Sequence, residues 1–150
     1  MAATRPLPLN VAHEVRDRCL CFATQRTARE LARRFDRLFS GLGLTNGQYS
    51  MMVAMSAMGE PKLGHLAGFL AMDHATVTAA IKKLEKRGLV SMRADDEDGR
   101  ARRATLTGAG HTLIAKAVPL WRAEHAKLDA ELGPGEGEAI RSHLAHLQGH

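Results

Sequence analysis

The stretch that decides the fold is residues 63–110, which have the sequence LGHLAGFLAMDHATVTAAIKKLEKRGLVSMRADDEDGRARRATLTGAG. It begins with apolar residues at the spacing of one helix face, from Leu63 to Leu70. A second helix is expected to follow, with Asp73 as its N-cap and Gly88 in the position of a C-terminal glycine. The inward face of this second helix is predicted to consist of Val77, Ile81 and Leu84.

Two β-prone runs, Leu89–Arg93 and Ala104–Leu106, come next and flank a charged tip at residues 95–103. Helix, turn, helix and basic hairpin in this order predict a winged helix-turn-helix, an architecture that binds DNA. We therefore expect a mainly α (α+β) chain with a two-stranded wing and with additional N- and C-terminal helices.

The distribution of charge favours a partner of negative charge. The 150 residues carry a formal net charge of +5. Residues 1–103 hold 17 Lys and Arg against 11 Asp and Glu (+6), whereas the remainder holds 4 against 5 (−1). A basic first part and a nearly neutral remainder predict a polyanion partner for the former and a packing role for the latter.

Helical patterns cover most of the remaining chain. A long helix is expected from a cap at Asn10 to about Phe39, with Val15, Cys19 and Phe22 on one face. A second is expected to start at Thr45 or Asn46, with Met51, Met55 and Met58 on one face. Two more are expected towards the C-terminus, one capped by Thr107 and kinked at Pro119 and a short one over about Glu136 to Leu147.

The first and last helices carry more apolar surface than a small winged domain covers alone, so we expect them to form the interface of a homodimer. This divides the chain into a flexible tail, residues 1–9, and a single domain, residues 10–150. Within the domain, residues 10–44 and 108–150 would form the dimerisation region, and residues 45–107 the DNA-binding lobe.

With these elements placed, the sequence resembles the MarR (multiple antibiotic resistance regulator) family over nearly its whole length, from about Val11 to Leu147. The order and spacing of several short segments together carry the resemblance. These segments are Gly43–Tyr49, Leu66-Ala67, Asp73–Thr78, Leu84–Val90, and Asp98-Gly99-Arg100 through Gly110. The resemblance implies a homodimeric transcriptional regulator that binds a pseudo-palindromic DNA operator.

Helical geometry assigns the DNA contacts of the second helix. With its apolar face inward, the first two turns are expected to direct Ala75, Thr76 and Ala79 into the major groove, with Thr78 to one side. Methyl and hydroxyl groups contact thymine methyls or make one hydrogen bond, so direct reading of bases should be modest. His74 is expected to be structural. The predicted phosphate contacts are Lys82, Lys83 and Lys86.

The wing is expected to supply the second contact. In the family, a wing arginine enters the minor groove beside an orienting aspartate, and Arg100 and Asp98 match these positions. Arg102 and Arg103 would hold adjacent phosphates. The alternative is a solvated charged turn. The acidic run, residues 95–97, either keeps the arginines away from DNA in one state or is ordinary loop.

Cys19 and Cys21 raise the alternative of a thiol-based redox sensor. The family's branch that senses organic hydroperoxides has a reactive cysteine in a Leu-Cys-Phe-Ala context, which residues 20–23 match. Two tyrosines that hold the thiolate in that branch are replaced here by Phe35 and Asn46. Because this weakens thiolate stabilisation, we favour packing of both thiols as small apolar groups.

A small-molecule effector is the commoner device in the family. The expected pocket lies between the dimer helices and the winged lobe, where Cys21, Tyr49, Met52, Met55 and Trp121 would converge. A methionine stripe at helical spacing is also typical of an ordinary core.

Enzymatic readings are not favoured. The eight histidines form no HExxH pattern, no cysteine pair has zinc-finger spacing, and neither a phosphate-binding glycine loop nor a Ser-His-Asp signature occurs. We expect no cofactor, no metal and no membrane span. Met1–Pro8 lacks an apolar signal segment, and two cysteines in a chain without such a segment predict free thiols in the cytoplasm.

The alternative outside DNA regulation is a winged-helix protein-interaction module with weak DNA binding. It is supported by Ala75, Ala79 and the acidic run.

Overall fold

A computed structural model describes residues 6–148, so the predicted tail lies mostly outside the described residues. The fold is mainly helical with one two-stranded antiparallel sheet, as expected. Its elements are α1 (Leu9–Arg18), α2 (Leu20–Phe39), a 3₁₀ turn (Ser40–Leu42), α3 (Asn46–Met58), α4 (Leu63–Phe69), α5 (His74–Lys86), β1 (Val90–Ala94), β2 (Arg102–Leu106), α6 (Gly108–Leu132) and α7 (Glu136–Leu147).

The single N-terminal helix predicted from Asn10 is wrong, because the chain forms two helices that meet at Cys19. Cys19 has an extended backbone (φ −77°, ψ 109°) and is the N-cap of α2. Its Sγ accepts a hydrogen bond from the N–H of Phe22 at 3.3 Å. Pro8, and not Asn10, occupies the cap position of α1.

The N-terminal helices pack differently from each other. α1 buries none of its side chains within the chain, and Val15 on it is 56 % exposed. α2 buries Phe35 and Phe39 against the rest of the molecule. Arg34 of α2 also pairs with α6, with its Nε 2.5 Å from Glu124 and its Nη atoms 2.8–2.9 Å from Glu131. α2 is therefore held to α6, whereas α1 has no such anchor in the described chain.

Local capping signals in the sequence are confirmed in the winged lobe. Thr45 caps α3 in a reciprocal capping box with Gln48. Asp73 caps α5, and Gly88 adopts the left-handed conformation (φ 71°) just past its end. Val77, Ile81 and Leu84 on α5 are fully buried.

The methionine pattern on α3 is only partly right. Met51 and Met55 are buried, but Met58 is 39 % exposed. Met52, which lies outside the predicted stripe, is fully buried. Because α3 packs against α2, β2 and α6 as well as α4, its buried surface is wider than a single stripe.

The wing is a β-hairpin whose register runs from Val90 opposite Leu106 to Ala94 opposite Arg102. The predicted run Leu89–Arg93 starts one residue before β1, and the predicted run Ala104–Leu106 starts two residues after the first residue of β2. The start of β2 was not predicted because its first two residues, Arg102 and Arg103, are charged and lie outside the apolar part of the hairpin. The hairpin is also joined to the segment before α4, since the N–H of Ala104 donates to the carbonyl of Pro61 at 3.1 Å.

The last two helices begin and end near their predicted bounds. Thr107 caps α6 by accepting a hydrogen bond from the N–H of Gly110 at 3.1 Å, and α6 continues as one helix through Pro119 to Leu132. α7 follows after Gly133. Across residues 6–148, no helix has both the length and the apolar character that crossing a membrane requires.

Candidate nucleic-acid interface

The exposed face of α5 contains the residues predicted to meet DNA. Ala75, Thr76, Ala79, Lys82, Lys83 and Lys86 are exposed, and Thr78 is half-buried. His74 is also exposed, so its predicted structural position on the inward face is wrong. As the first residue of α5, it extends beyond the apolar stripe that packs into the core.

Both hydroxyl groups on this face already donate hydrogen bonds inside the protein. Thr76 Oγ1 donates to Asp73 Oδ2 at 2.5 Å, and Thr78 Oγ1 donates to the carbonyl of His74 at 2.8 Å. The hydrogen bonds from the Thr76 side chain and N–H lower the pKa of Asp73, which keeps this cap ionised. The two threonines therefore offer methyl groups and acceptor oxygens to a partner. This chemistry limits base-specific donation from the first two turns.

At the tip of the wing, Asp98 shapes the turn that presents Arg100. Asp98 Oδ1 accepts a hydrogen bond from the backbone N–H of Arg100 at 3.0 Å, and its carbonyl accepts one from Ala101 at 2.8 Å. The carboxylate thus acts on the backbone rather than on the guanidinium. Arg100 and Arg102 are exposed.

The acidic run contains a buried anchor that the sequence did not indicate. Asp95 is 5 % exposed, and its carboxylate pairs with Arg103 and, at 3.1 Å, with Lys62. It also accepts hydrogen bonds from the N–H groups of Glu97 and Asp98. Burial by itself raises the pKa of Asp95, but these hydrogen bonds outweigh burial and hold the pKa well below its usual range.

This anchor changes the interpretation of Arg103, which was predicted to bind phosphate. Its guanidinium pairs with Asp95 and donates to the carbonyl of Glu60 at 2.8 Å. A second ion-pair set lies beside it, in which Arg93 binds Glu60 at 2.7–2.8 Å and Asp96 at 2.9 Å. In this arrangement Arg103 holds the wing to the segment before α4. The charge of its guanidinium is already compensated by Asp95.

The predicted effector residues do not all converge. Tyr49 and Trp121 line one cleft of about 480 Å³ between α3, α4 and α6, together with Val53, Phe69, Leu70, Val118 and Arg122. Burial raises the pKa of the Tyr49 hydroxyl. Met52 and Met55 belong instead to the core, where both are fully buried. Cys19 and Cys21 do not line the cleft, because they lie at the start of α2.

The two thiols have different surroundings. Cys21 is exposed, and its Sγ accepts a hydrogen bond from Gln25 Nε2 at 3.0 Å. Cys19 is half-buried at the break between α1 and α2. Within the single chain, Cys21 is therefore not packed in the core, and Cys19 is only partly covered.

Comparison with known proteins agrees with this architecture. The sequence model of the MarR family matches residues 44–101, which include α3, α4, α5 and β1. The M. tuberculosis transcriptional regulator MosR, solved in complex with DNA, is 33 % identical and superposes with a TM-score of 0.77, covering 86 % of this chain and 92 % of MosR. The chain belongs to the MarR family. It is a DNA-binding transcriptional regulator with the winged-helix fold of that family.

Two other relatives extend the comparison. The organic hydroperoxide resistance transcriptional regulator of Bacillus subtilis (strain 168) is 28 % identical over 67 % of this chain and 69 % of its own length. Bordetella bronchiseptica BpsR, whose DNA binding is regulated by 6-hydroxynicotinic acid, is 26 % identical. Its structure covers 85 % of this chain and 99 % of BpsR, with a TM-score of 0.70.

Proposed function

We propose that this MarR-family protein is a homodimeric repressor that acts in the cytoplasm on a pseudo-palindromic operator. Each α5 would enter a major groove, with the two half-sites about one helical turn apart. The observation that carries the proposal is the pairing of an exposed, capped α5 with a wing tip that presents Arg100 beside it. MosR, which shares this architecture, has been solved with DNA bound.

Within this proposal, the DNA contacts divide by chemistry. Ala75, Thr76, Thr78 and Ala79 would meet base edges mainly through methyl groups and acceptor oxygens. Arg100, positioned by Asp98, would enter the minor groove, where a guanidinium is attracted by negative potential. The phosphate contacts would be Lys82, Lys83, Lys86 and Arg102. Arg103 would position the wing through Asp95 rather than bind DNA.

The dimer would form through residues 10–44 and 108–150. In the single chain, α2 and α7 border an apolar groove of about 510 Å³, lined in part by Leu31, Ile140, Leu144 and Leu147. Leu20 and Phe22 at the start of α2 are also largely exposed. An apolar surface of this extent favours a second copy of the chain as its cover.

Release from DNA would be controlled by a small effector in the cleft lined by Tyr49 and Trp121. Its lining is mostly apolar, and Arg122 adds a cation to it. This combination suits a small aromatic anion. An effector releases DNA only to the extent that it binds the DNA-free arrangement of the lobes more tightly than the bound one.

The second candidate is redox control through Cys21. Its support is the exposed thiol beside Gln25 and the likeness to the B. subtilis organic hydroperoxide resistance regulator. Peroxide should then release wild-type protein from DNA but leave Cys21→Ser bound. A matched Cys19→Ser variant should behave as wild type, because Cys19 is less accessible.

The experiment that tests the proposed function is a titration of the protein against its own upstream intergenic duplex and a scrambled duplex of equal composition. Fluorescence anisotropy would be recorded at two salt concentrations. Tight, salt-sensitive binding to the intergenic duplex alone supports the proposal. Equal weak binding to both duplexes, or none, would instead favour the protein-interaction module.

A further inference from the structure

One face of α2 carries a row of exposed arginines, which are Arg26, Arg29, Arg33 and Arg37. We name this face the arginine ridge. At about 100° per residue, the four positions lie within about 80° of one another around the helix axis. They point away from the buried Phe35 and span about 16 Å along the axis. The arginine ridge is thus the outward surface of a helix whose opposite surface packs into the core.

The arginine ridge differs from other exposed helix faces in its lack of acidic partners. The exposed arginines of the neighbouring α1 and of α7 each pair with a carboxylate; these are Arg16, Arg18 and Arg141. On the arginine ridge only Arg33 does so, with Glu30 at 2.5 Å. Arg29 donates to the neutral side chain of Gln25 at 3.2 Å. Within residues 6–148, neither Arg26 nor Arg37 has a carboxylate within 4.0 Å.

Unpaired arginines elsewhere in the described chain lie on surfaces that already have a role. Outside the arginine ridge, those without a carboxylate within 4.0 Å among residues 6–148 are Arg87, Arg100, Arg102 and Arg122. The first three belong to the DNA-binding lobe, and the fourth lines the cleft assigned to an anionic effector. The unpaired arginines that remain all lie on one face of α2. This concentration on one helix face sets the arginine ridge apart as a further surface for an anion.

The pattern on the arginine ridge is not that of an ordinary solvated face. Solvated helix faces alternate charges of opposite sign. Here Arg33 is four residues from both Arg29 and Arg37, a spacing at which like charges repel and weaken a helix. The one acid beside them, Glu30, is already engaged: a hydrogen bond from Arg33 lowers its pKa, and the charges of Arg26 and Arg37 lower it further. Four arginines against one glutamate leave a net charge of +3 without a partner in the described chain.

The proposed dimer leaves the arginine ridge uncovered. The groove proposed for the second copy of the chain is lined by Ala28 and Leu31 of α2. Both residues point about 140–160° away from Arg26 around the helix axis. A second copy seated in that groove therefore meets a different side of α2.

We propose that the arginine ridge binds the phosphates of a second segment of duplex DNA, without reading its sequence, while α5 and the wing hold the operator. The inference rests on the proposed function, because a protein bound to its operator has other DNA as its most concentrated polyanion. The regulator would then join two DNA segments.

The chemistry and the spacing of the arginine ridge suit a DNA backbone. Guanidinium groups bind phosphate oxygens through two parallel hydrogen bonds. Over about 16 Å, one DNA strand presents roughly four to five phosphates, so each arginine has a phosphate within its length. Contacts of this kind carry no sequence information, and their strength falls steeply with salt.

The test immobilises the intergenic duplex, saturates it with protein, and then adds a fluorescently labelled scrambled duplex. Wild type should capture the scrambled duplex at about 50 mM salt, with an affinity that falls about 40-fold at about 200 mM, as three phosphate contacts require. Arg26→Gln/Arg29→Gln/Arg37→Gln should hold the immobilised duplex as wild type does, but capture the second duplex on the order of ten-fold more weakly. The control Arg16→Gln/Arg18→Gln/Arg141→Gln removes the same charge from arginines that have carboxylate partners, and should capture as wild type.

Each contrary outcome has a distinct meaning. Capture that is equal in wild type and the ridge variant, or absent from wild type, overturns the inference and leaves the proposed function intact. A ridge variant that also loses the immobilised duplex overturns it, because the arginine ridge then contacts the operator itself. A wild type that captures labelled polyglutamate but no second duplex also overturns it, and indicates an acidic protein segment as the partner.

A wild type with no preference for the intergenic duplex would refute the proposed function, and the arginine ridge is then tested alone. Lys82→Gln/Lys83→Gln/Arg100→Ala removes cations from α5 and the wing tip, and is titrated with the scrambled duplex. Residual binding with a slope of log affinity against log salt of about −3, abolished when the three ridge substitutions are added, supports the arginine ridge. Residual binding that survives them, or no residual binding, overturns it.

Discussion

Gly110 provides a quantitative test of how the wing is joined to α6. A Cβ added at this position would lie well within 3.0 Å of the carbonyl oxygen of Leu89, a separation that real Cβ atoms essentially never show. It would also lie 3.4 Å from Leu106 Cδ2. The obstacle is backbone, so no side-chain rotation relieves it. Gly110→Ala should therefore force the first turn of α6 away from Leu89, the residue that precedes β1.

The expected cost follows from three terms. Overpacking of this kind costs about 1–3 kcal/mol. Separation of the two segments also weakens the hydrogen bond from the N–H of Thr107 to the carbonyl of Leu89, now 3.1 Å, for about 1 kcal/mol. The higher helix propensity of alanine returns about 1 kcal/mol. The free energy of unfolding should therefore fall by about 1–3 kcal/mol, which lowers Tm by roughly 3–10 °C.

Gly108→Ala is the matched control, because it lies in the same first turn and its Cβ would meet nothing within 4 Å. It should leave stability unchanged or raise it by up to about 1 kcal/mol. Both variants would be followed by circular dichroism at one protein concentration, since dimerisation makes Tm depend on concentration. If Gly110→Ala proves as stable as Gly108→Ala, the close approach of α6 to β1 is refuted.

Three further predictions concern the wing and the dimer. Arg100→Ala should weaken duplex binding by about 1–3 kcal/mol with no change in the urea midpoint, and unchanged affinity would remove the wing tip from the DNA contact. Asp95→Asn should lower the urea midpoint at neutral pH. Because the folded-state pKa of Asp95 lies below its unfolded value, its contribution to stability is present above that unfolded value and is lost as the pH falls through the folded one. The gap between the variant and wild type should thus shrink progressively as the pH falls below about 4, and a gap that stays constant over that range would contradict the assigned ion pairs. Leu144→Asp should sediment as a monomer, whereas a variant that remains dimeric would place the interface elsewhere.

Sequence reasoning succeeded where the signal was local. Thr45, Asp73 and Thr107 are each the type of residue that caps a helix, and each caps one here. The apolar period of α5 likewise gave its inward face. These features depend on a few neighbouring residues, so the rest of the fold could not obscure them.

The failures involve contacts between distant segments. Asp95 sits in a run of acids that is typical of exposed loop, and only Lys62 and Arg103, brought close by folding, make its burial favourable. The break at Cys19 lacks a glycine or proline and so had no marker in the sequence.

The prediction that His74 is structural failed for a related reason. A lone histidine beside an apolar stripe indicates little by itself, and His74 is the first residue of α5, outside the stripe that packs into the core. His74 follows the turn between α4 and α5, in which Ala71 adopts a positive φ of 51°. Sequence spacing does not specify that geometry.

Hydroxyl-radical footprinting on the intergenic duplex would decide whether two copies of α5 and the wing bind DNA together. We expect two protected half-sites about 10 base pairs apart, centre to centre, with flanking minor-groove protection that disappears in Arg100→Ala. A single protected patch, or flanking protection that survives Arg100→Ala, would contradict it.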